Sequence, residues 1–215
     1  MRQKGFSIIE IAVTLVVLGM VLATAVPSIG DWVRNARIRN ETNALVNGLQ
    51  VARETALRRN RPISFYLVNQ PTGTTLTNTC TVSATGTSWV VSVNSPHNGC
   101  GNAPATTSNS STNPLIVNSH FGAEATSGLG VSGQDNNQTA SSVASFDALG
   151  RLSSGLAHIT VAYSSSKSGD RPLRIDITKT GNVRACDPSI TDTSDPRRCL
   201  CDPSVTSNTS ALRCR

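Results

Sequence analysis

Charged side chains are scarce in this chain, at 15%, and aromatic ones scarcer, at 4%. From Pro62 to Gly150 there is neither lysine nor arginine, only Glu124, Asp135 and Asp147. A core with so few rings must lean on Val, Ile, Leu and Ala. A surface with so little charge is filled instead by Ser, Thr, Asn and Gly. That balance suits an exported, β-rich domain better than a cytosolic enzyme. Catalytic constellations are missing too. His97, His120 and His158 stand apart, with no Cys, Asp or Glu partner at motif spacing. Gly128-Leu129-Gly130 lacks the further glycine and the helix of a phosphate-binding loop. On these grounds no enzyme, no metal ion and no cofactor is expected. The 215 residues leave room for one soluble domain once export and anchoring segments are set aside.

What is present is concentrated toward the two ends. Apart from Arg2 and Lys4, the lysines and arginines behind the net charge of +6 sit in two blocks, Arg34 to Arg61 and Arg151 to Arg215. Such blocks can meet phosphates or acidic lipid, but more often are solvated faces.

Met1-Arg2-Gln3-Lys4-Gly5 carries two positive charges and ends in glycine. Phe6-Ser7-Ile8-Ile9-Glu10 follows, then Ile11 to Gly30 without a charge. As a helix, that run is long enough to cross a hydrocarbon layer of ~30 Å. The positive leader should stay cytoplasmic. An ordinary secretory signal would be cut after the apolar region, where Ala23-Thr24-Ala25 would serve. Glu10 argues against it. A carboxylate in an apolar helix is expensive without a partner, so by default it is functional. Cleavage after Gly5 would place a new amino group on Phe6, one helical turn from Glu10. The amine of one subunit could then neutralise Glu10 of its neighbour.

Lys4-Gly5-Phe6-Ser7-Ile8-Ile9-Glu10 resembles the prepilin cleavage and methylation motif of type IV pilins and type II secretion pseudopilins. The resemblance implies that a membrane prepilin peptidase cuts between Gly5 and Phe6 and methylates Phe6. It makes Glu10 the fifth residue of the mature chain and the assembly residue. Pro27 fits as a kink within the helix.

After Asp31 the apolar pattern becomes amphipathic. Trp32, Ala36, Ala44, Leu45, Leu49, Ala52, Ala56 and Leu57 recur at helical spacing. The helix is expected to run to about Arg59, where Arg61-Pro62 stops it. Beyond Pro62 the period shifts toward two. Strands are expected at 63–68, 88–93, 115–117, 142–146, 157–163 and 173–177, with Leu173, Ile175 and Ile177 facing one way. Loops are expected at 71–78, 101–113 and 132–142. A long helix followed by strands gives an α+β fold. The segment Ser28 to Arg61, the Phe146-Asp147-Ala148-Leu149-Gly150-Arg151 turn and the hairpin from Ile175 to Cys186 resemble the FimT/FimU and GspH branch of minor pilins and pseudopilins. The implied fold is type IV pilin-like, a long N-terminal helix packed on an antiparallel β-sheet domain. The organisation read from this is a leader at 1–5 and a transmembrane or filament-core helix at 6–30. A globular domain at 31–185 and a cysteine-rich tail at 186–215 follow.

The cysteines are Cys80, Cys100, Cys186, Cys199, Cys201 and Cys214. In an exported chain disulfides are the default, and six cysteines allow fifteen pairings. An internal repeat narrows them. Cys186-Asp187-Pro188-Ser189-Ile190-Thr191 recurs as Cys201-Asp202-Pro203-Ser204-Val205-Thr206, and Arg198-Cys199 as Arg213-Cys214. Each copy is expected to close its own loop, Cys186–Cys199 and Cys201–Cys214, leaving Cys80–Cys100. A zinc site from the tail cysteines is the rival, against which Cys199-Leu200-Cys201 is poor ligand spacing.

The branch resemblance implies a minor pilin that helps initiate or cap a type IV pilus near its tip. Its partners would be other minor and major pilins, the prepilin peptidase and the inner-membrane assembly platform. The protein would sit in the inner membrane before assembly, then in an extracellular or periplasmic filament. A type II secretion pseudopilin is the alternative. A second alternative is DNA uptake, because some FimT-type pilins bind DNA through Gly-Arg-x-Arg at the last hairpin. The matching positions here are Gly181-Asn182-Val183-Arg184, so one arginine is replaced. Arg184, Arg197 and Arg198 are the candidate DNA contacts; solvated surface charge is the plainer reading of them.

Overall fold

A computed structural model describes residues 7–71, 73–104, 114–122, 128–192 and 194–200, with residues 22–29 described as helical backbone only. One helix, α1 (Ile8–Arg59), fills the first quarter of the chain. Its 52 residues correspond to a rod of about 78 Å at 1.5 Å per residue. The helix assignment continues through Pro27, whose side chain lies outside the described residues. It ends where the sequence says it should. Asn60 turns left-handed (φ 47°, ψ 43°) and gives its N–H to the Ala56 carbonyl, as does Arg61. Asparagine tolerates that conformation better than most residues, and Pro62 forbids continuation.

Ten strands follow among the described residues, in two antiparallel sheets. The first sheet runs β4 (Ile116–His120), β3 (Ser88–Ser92), β1 (Ile63–Asn69), β6 (Val143–Phe146), β7 (Leu152–Gly155). The short β2 (Thr81–Val82) also pairs with β1. The second sheet runs β10 (Val183–Cys186), β9 (Leu173–Ile177), β8 (His158–Tyr163), β5 (Leu129–Gln134). The helix lies across both sheets. Ile38, Leu45, Leu49, Ala52 and Ala56 bury fully against Phe65, Leu67 and Val91 of one sheet and Ile159, Val161, Ile175 and Ile177 of the other. Gly48 lets the helix approach closely. A Cβ there would lie 2.8 Å from the rings of Phe65 and Trp89. A smaller cluster, including Tyr66, Val68, Val90 and Ile116, packs on the far face of the first sheet with the Cys80–Cys100 disulfide.

The α+β fold expected from sequence is the observed one: a long N-terminal helix on antiparallel sheets. Several details differ. Trp32 and Leu57, counted in the apolar stripe, are 66% and 47% exposed, whereas Ile38, outside that stripe, is fully buried. β5 and β7 fall where loops or nothing were expected. Their sequences, Leu-Gly-Val-Ser-Gly-Gln and Leu-Ser-Ser-Gly, have little intrinsic strand preference, and tertiary packing overrides it. At Gly133 the reason is visible. A Cβ would meet the Ser141 carbonyl at 2.4 Å and Leu156 and Leu67 within 3 Å, so only glycine fits. In β9, Ile175 and Ile177 do face the core, but the alternate residues Arg174 and Asp176 are buried as well.

Candidate functional site: an exposed apolar helix and a clamped C-terminal loop

The N-terminal part of α1 projects without cover. Ser7 precedes it in extended conformation, and its carbonyl takes the N–H groups of Glu10 and Ile11 at 3.0 and 3.2 Å. Glu10 stands exposed in the first turn. Around it, the large apolar residues from Ile8 to Val21 are between 50% and 88% exposed, and they occupy all sides of the helix. Burying one such side chain fully stabilises by roughly 1.5–3 kcal/mol. A rod with this surface is therefore built for lipid or for other helices, not for water. Gly5 and Phe6 lie outside the described residues. Among the described residues no helix is long and apolar enough to cross a membrane. The apolar run expected to do so includes residues 22–29, whose side chains lie outside the description.

Where the helix meets the head, Arg34 clamps it. Its guanidinium makes two hydrogen bonds to the Asp170 carboxylate, at 2.6 and 2.7 Å, and lies 3.7 Å from the Tyr163 ring centre. Asn35 adds bonds to the Gly169 carbonyl and from the Arg171 N–H. The Arg34 hydrogen bond, opposed in part by burial, holds the Asp170 carboxyl at about 2. Together these contacts fasten the β8–β9 connection to the helix.

The second region is the start of the cysteine-rich tail. Cys186, at the end of β10, is bonded to Cys199, and both are buried. Beneath the bridge lies Asp176, only 1% exposed. Its carboxylate accepts from Arg174 at 2.8 Å and from the Leu200 N–H at 2.9 Å, and stands 3.3 Å from Nδ1 of His158. Burial pushes the Asp176 carboxyl up, but the His158 hydrogen bond and the Arg174 charge outweigh it and hold it low. Asp176, Cys186 and Cys199 are close enough to suggest a metal cluster. The two sulfurs are joined to each other, however, and a disulfide offers no thiolate.

Arg184 closes the loop from outside. One of its NH groups donates to the Pro196 carbonyl at 3.3 Å and the other to the Arg198 carbonyl. The backbone of Asp187 pairs with that of Arg197 at 2.8 Å. Of the three candidate DNA arginines, Arg184 thus turns both terminal nitrogens to the protein's own backbone, its Nε staying buried without a partner, and Arg198 is half-buried. Arg197 projects, 75% exposed in its side chain, with Asp195 paired to it at 2.8 Å. Cys201 and Cys214, and any loop between them, lie outside the described residues.

Sequence reasoning missed the polar group under the bridge. His158 had no partner at motif spacing because its partner is across the sheet: His158 and Asp176 are register neighbours on β8 and β9. The available signal was the pair Arg174 and Asp176 on alternating positions of an otherwise apolar strand. His120 likewise acquires a neighbour only in the fold, stacking on Trp89 with centroids 5.6 Å apart. Burial lowers its pKa.

Against this geometry stand the comparisons with known proteins. The family described as Type II transport protein GspH matches residues 41–181, well over half of the chain. The chain belongs to the GspH family. The prokaryotic N-terminal methylation motif matches residues 1–26 of this GspH-family protein. Motif and family make it a pilin-like protein of the GspH family, with a membrane-anchored precursor. The family is one of structural pilins and pseudopilins, whose members associate with other pilins. Among solved structures, two crystal forms of the type IV minor pilin FimU from Pseudomonas aeruginosa are similar at 18% identity and a TM-score of 0.43. The matches cover 73% and 72% of this chain and 92% and 97% of FimU. Curated proteins yield no match to the GspH-family sequence.

Proposed function

We propose that this protein is a minor pilin that helps initiate or cap a type IV pilus near its tip. Prepilin peptidase cuts between Gly5 and Phe6 and methylates Phe6. The apolar part of α1 is held in the inner membrane until the assembly platform draws the subunit into the filament. Glu10 guides docking by meeting the Phe6 amine of a neighbouring pilin. The head and tail then lie in the periplasm or on the extracellular filament. The single observation that carries this reading is the uncovered apolar surface of Ile8 to Val21 with Glu10 in its first turn. A carboxylate there costs free energy unless a partner charge meets it. Replacing Glu10→Val in the native host should leave cleavage intact and remove the protein from sheared filaments. Normal incorporation of that variant would count against the role.

A pseudopilin of type II secretion is the second reading, favoured by the description of the matched family. Deleting the gene separates the two: loss of surface pili supports the first, loss of secreted enzymes with normal pili the second. The DNA-uptake reading rests on the exposed Arg197, because Arg184 is engaged with the loop backbone. Its test is a titration of the oxidised protein with duplex DNA at two salt concentrations. Binding that weakens with salt and with Arg197→Ala supports it. We further propose that Cys201 and Cys214 close the second tail loop, which peptide mapping would establish.

A further inference from the structure

At the end of the head opposite the apolar rod, three segments meet. The last turn of α1 brings Leu57 and Arg58, with Arg61 just beyond its cap. The turn between β6 and β7 brings Leu149 and Arg151. The turn between β9 and β10 brings Lys179. Their convergence is fixed by close contacts. A Cβ on Gly150 would lie 3.0 Å from Leu57, so the turn rests directly on that leucine. Arg53 donates to the Gly150 carbonyl at 3.1 Å, and the Leu152 N–H to the Lys179 carbonyl at 3.1 Å.

The turn itself is held from within. The Asp147 carboxylate accepts from the N–H groups of Leu149 and Arg151 and from the Arg151 side chain, each at 2.9 Å. Gly150 supplies the left-handed residue, φ +70°. The outcome is that Leu149 is presented in a fixed position, 65% exposed, next to the half-exposed Leu57. Neither position is needed to fill the core. Arg58, Arg59 and Arg61 follow Leu57 in the chain, Arg53 and Arg151 bond to the turn, and Lys179 stands in the adjoining hairpin, against two carboxylates, Glu54 and Asp147. Asp147 is already occupied. The backbone N–H of Arg151, together with the other donors it accepts, holds its carboxyl low.

We propose that this end of the head is a docking surface for an acidic protein partner, namely the carboxylate-bearing face of the neighbouring filament subunit. Leu149 and Leu57 enter an apolar notch, and Arg58, Arg61 and Lys179 meet the carboxylates around it. An apolar anchor ringed by charge is the usual anatomy of a protein interface. A phosphate backbone would use the cations but leave the leucines in water, which is why a protein fits better than nucleic acid. The partner's identity as a filament subunit rests on the function proposed above; the acidic, apolar-notched chemistry does not.

The test uses the full-length protein in its native host, with a photo-reactive amino acid at position 149. The expected result is a cross-link to a pilin subunit whose cross-linked peptide carries Asp or Glu. Arg58→Glu with Arg61→Glu should lower its yield at least tenfold. Arg39→Glu with Arg171→Glu, the same charge change elsewhere on the exposed surface, should leave the yield unchanged. Because these side chains are exposed, melting of the purified variants should match the parent. No cross-link at 149, a cross-link to nucleic acid, or an equal loss in the control pair would overturn the proposal. Glu10→Val is scored alongside. If it leaves filaments normal while the cross-link persists, the filament reading fails and the docking surface stands. If it empties the filaments but the patch variants have no effect, the reverse holds.

Discussion

Asp176 holds three groups at once: the Arg174 guanidinium, the His158 ring and the Leu200 N–H. A buried ion pair is weak evidence for stability in itself, because desolvating both charges offsets their attraction. Removing one partner is another matter. Asp176→Asn leaves Arg174, 5% exposed, without a counter-charge, and should cost about 3–5 kcal/mol in urea unfolding. Replacing Arg174 and Asp176 together by apolar residues should cost much less, and a cost equal to the single change would contradict this account. Asp170 gives a pH dependence of known sign. Its carboxyl titrates at about 2 in the fold, below an ordinary aspartate near 3.8. The stability it contributes is therefore complete above pH 4 and is lost as pH falls through about 2. Melting temperatures measured from pH 5 to pH 2 should fall more steeply for the parent than for Arg34→Ala, which lacks the clamp.

Among the elements, α1 and the tail loop are fastened in opposite ways. The helix is fitted by shape. At Gly48, adding one methyl would push into the Phe65 and Trp89 rings, so Gly48→Ala should destabilise by about 1–3 kcal/mol despite alanine's better helix propensity. A stabilised Gly48→Ala would show that the helix can shift off the sheet. The tail loop is fitted by a covalent bond. Cys186→Ser with Cys199→Ser opens a loop of sequence separation 13 and should cost about 3 kcal/mol. Hydrogen exchange should show β10 and the Leu200 amide loosening while β1 and β3 stay protected. These elements also mark how far the sequence could be read. The helix and its end were legible, because Pro62 and the helical period act locally. The strands at 63–69, 88–92 and 173–177 were legible because Val, Ile, Phe and Leu dominate them. β5 and β7 were not, since Gly133 is there for close packing that only the assembled sheets impose. The Asp176 group was hidden for a related reason: its partners come from three segments, and a polar residue on a strand reads by default as solvated.

The whole molecule divides into a head with its own core and a rod without one. The division makes a simple prediction. The full-length chain should need detergent or lipid, whereas a chain beginning at Asp31 should be soluble and keep the Arg34–Asp170 clamp. Size-exclusion chromatography with and without detergent would show it, and a head that aggregates without residues 1–30 would mean the rod shields part of the core. The N-terminal motif was the most legible feature of all, because charge, glycine, carboxylate and apolar run stand in one short order. The surface around Leu149 was not legible, since nothing in the sequence announces that a turn, a hairpin and a helix end converge.

The position of Leu200 also bears on how such a chain can grow. Its N–H is the last described attachment of the tail to the head, and the repeated unit begins with the very next residue, Cys201. A duplication starting there adds sequence without moving any anchor that came before it. The same junction is therefore the place where foreign sequence could be appended with least disturbance. Leu200 itself is half exposed, so sequence appended at that junction starts from the surface of the head, and a filament bearing this subunit has a ready point for display.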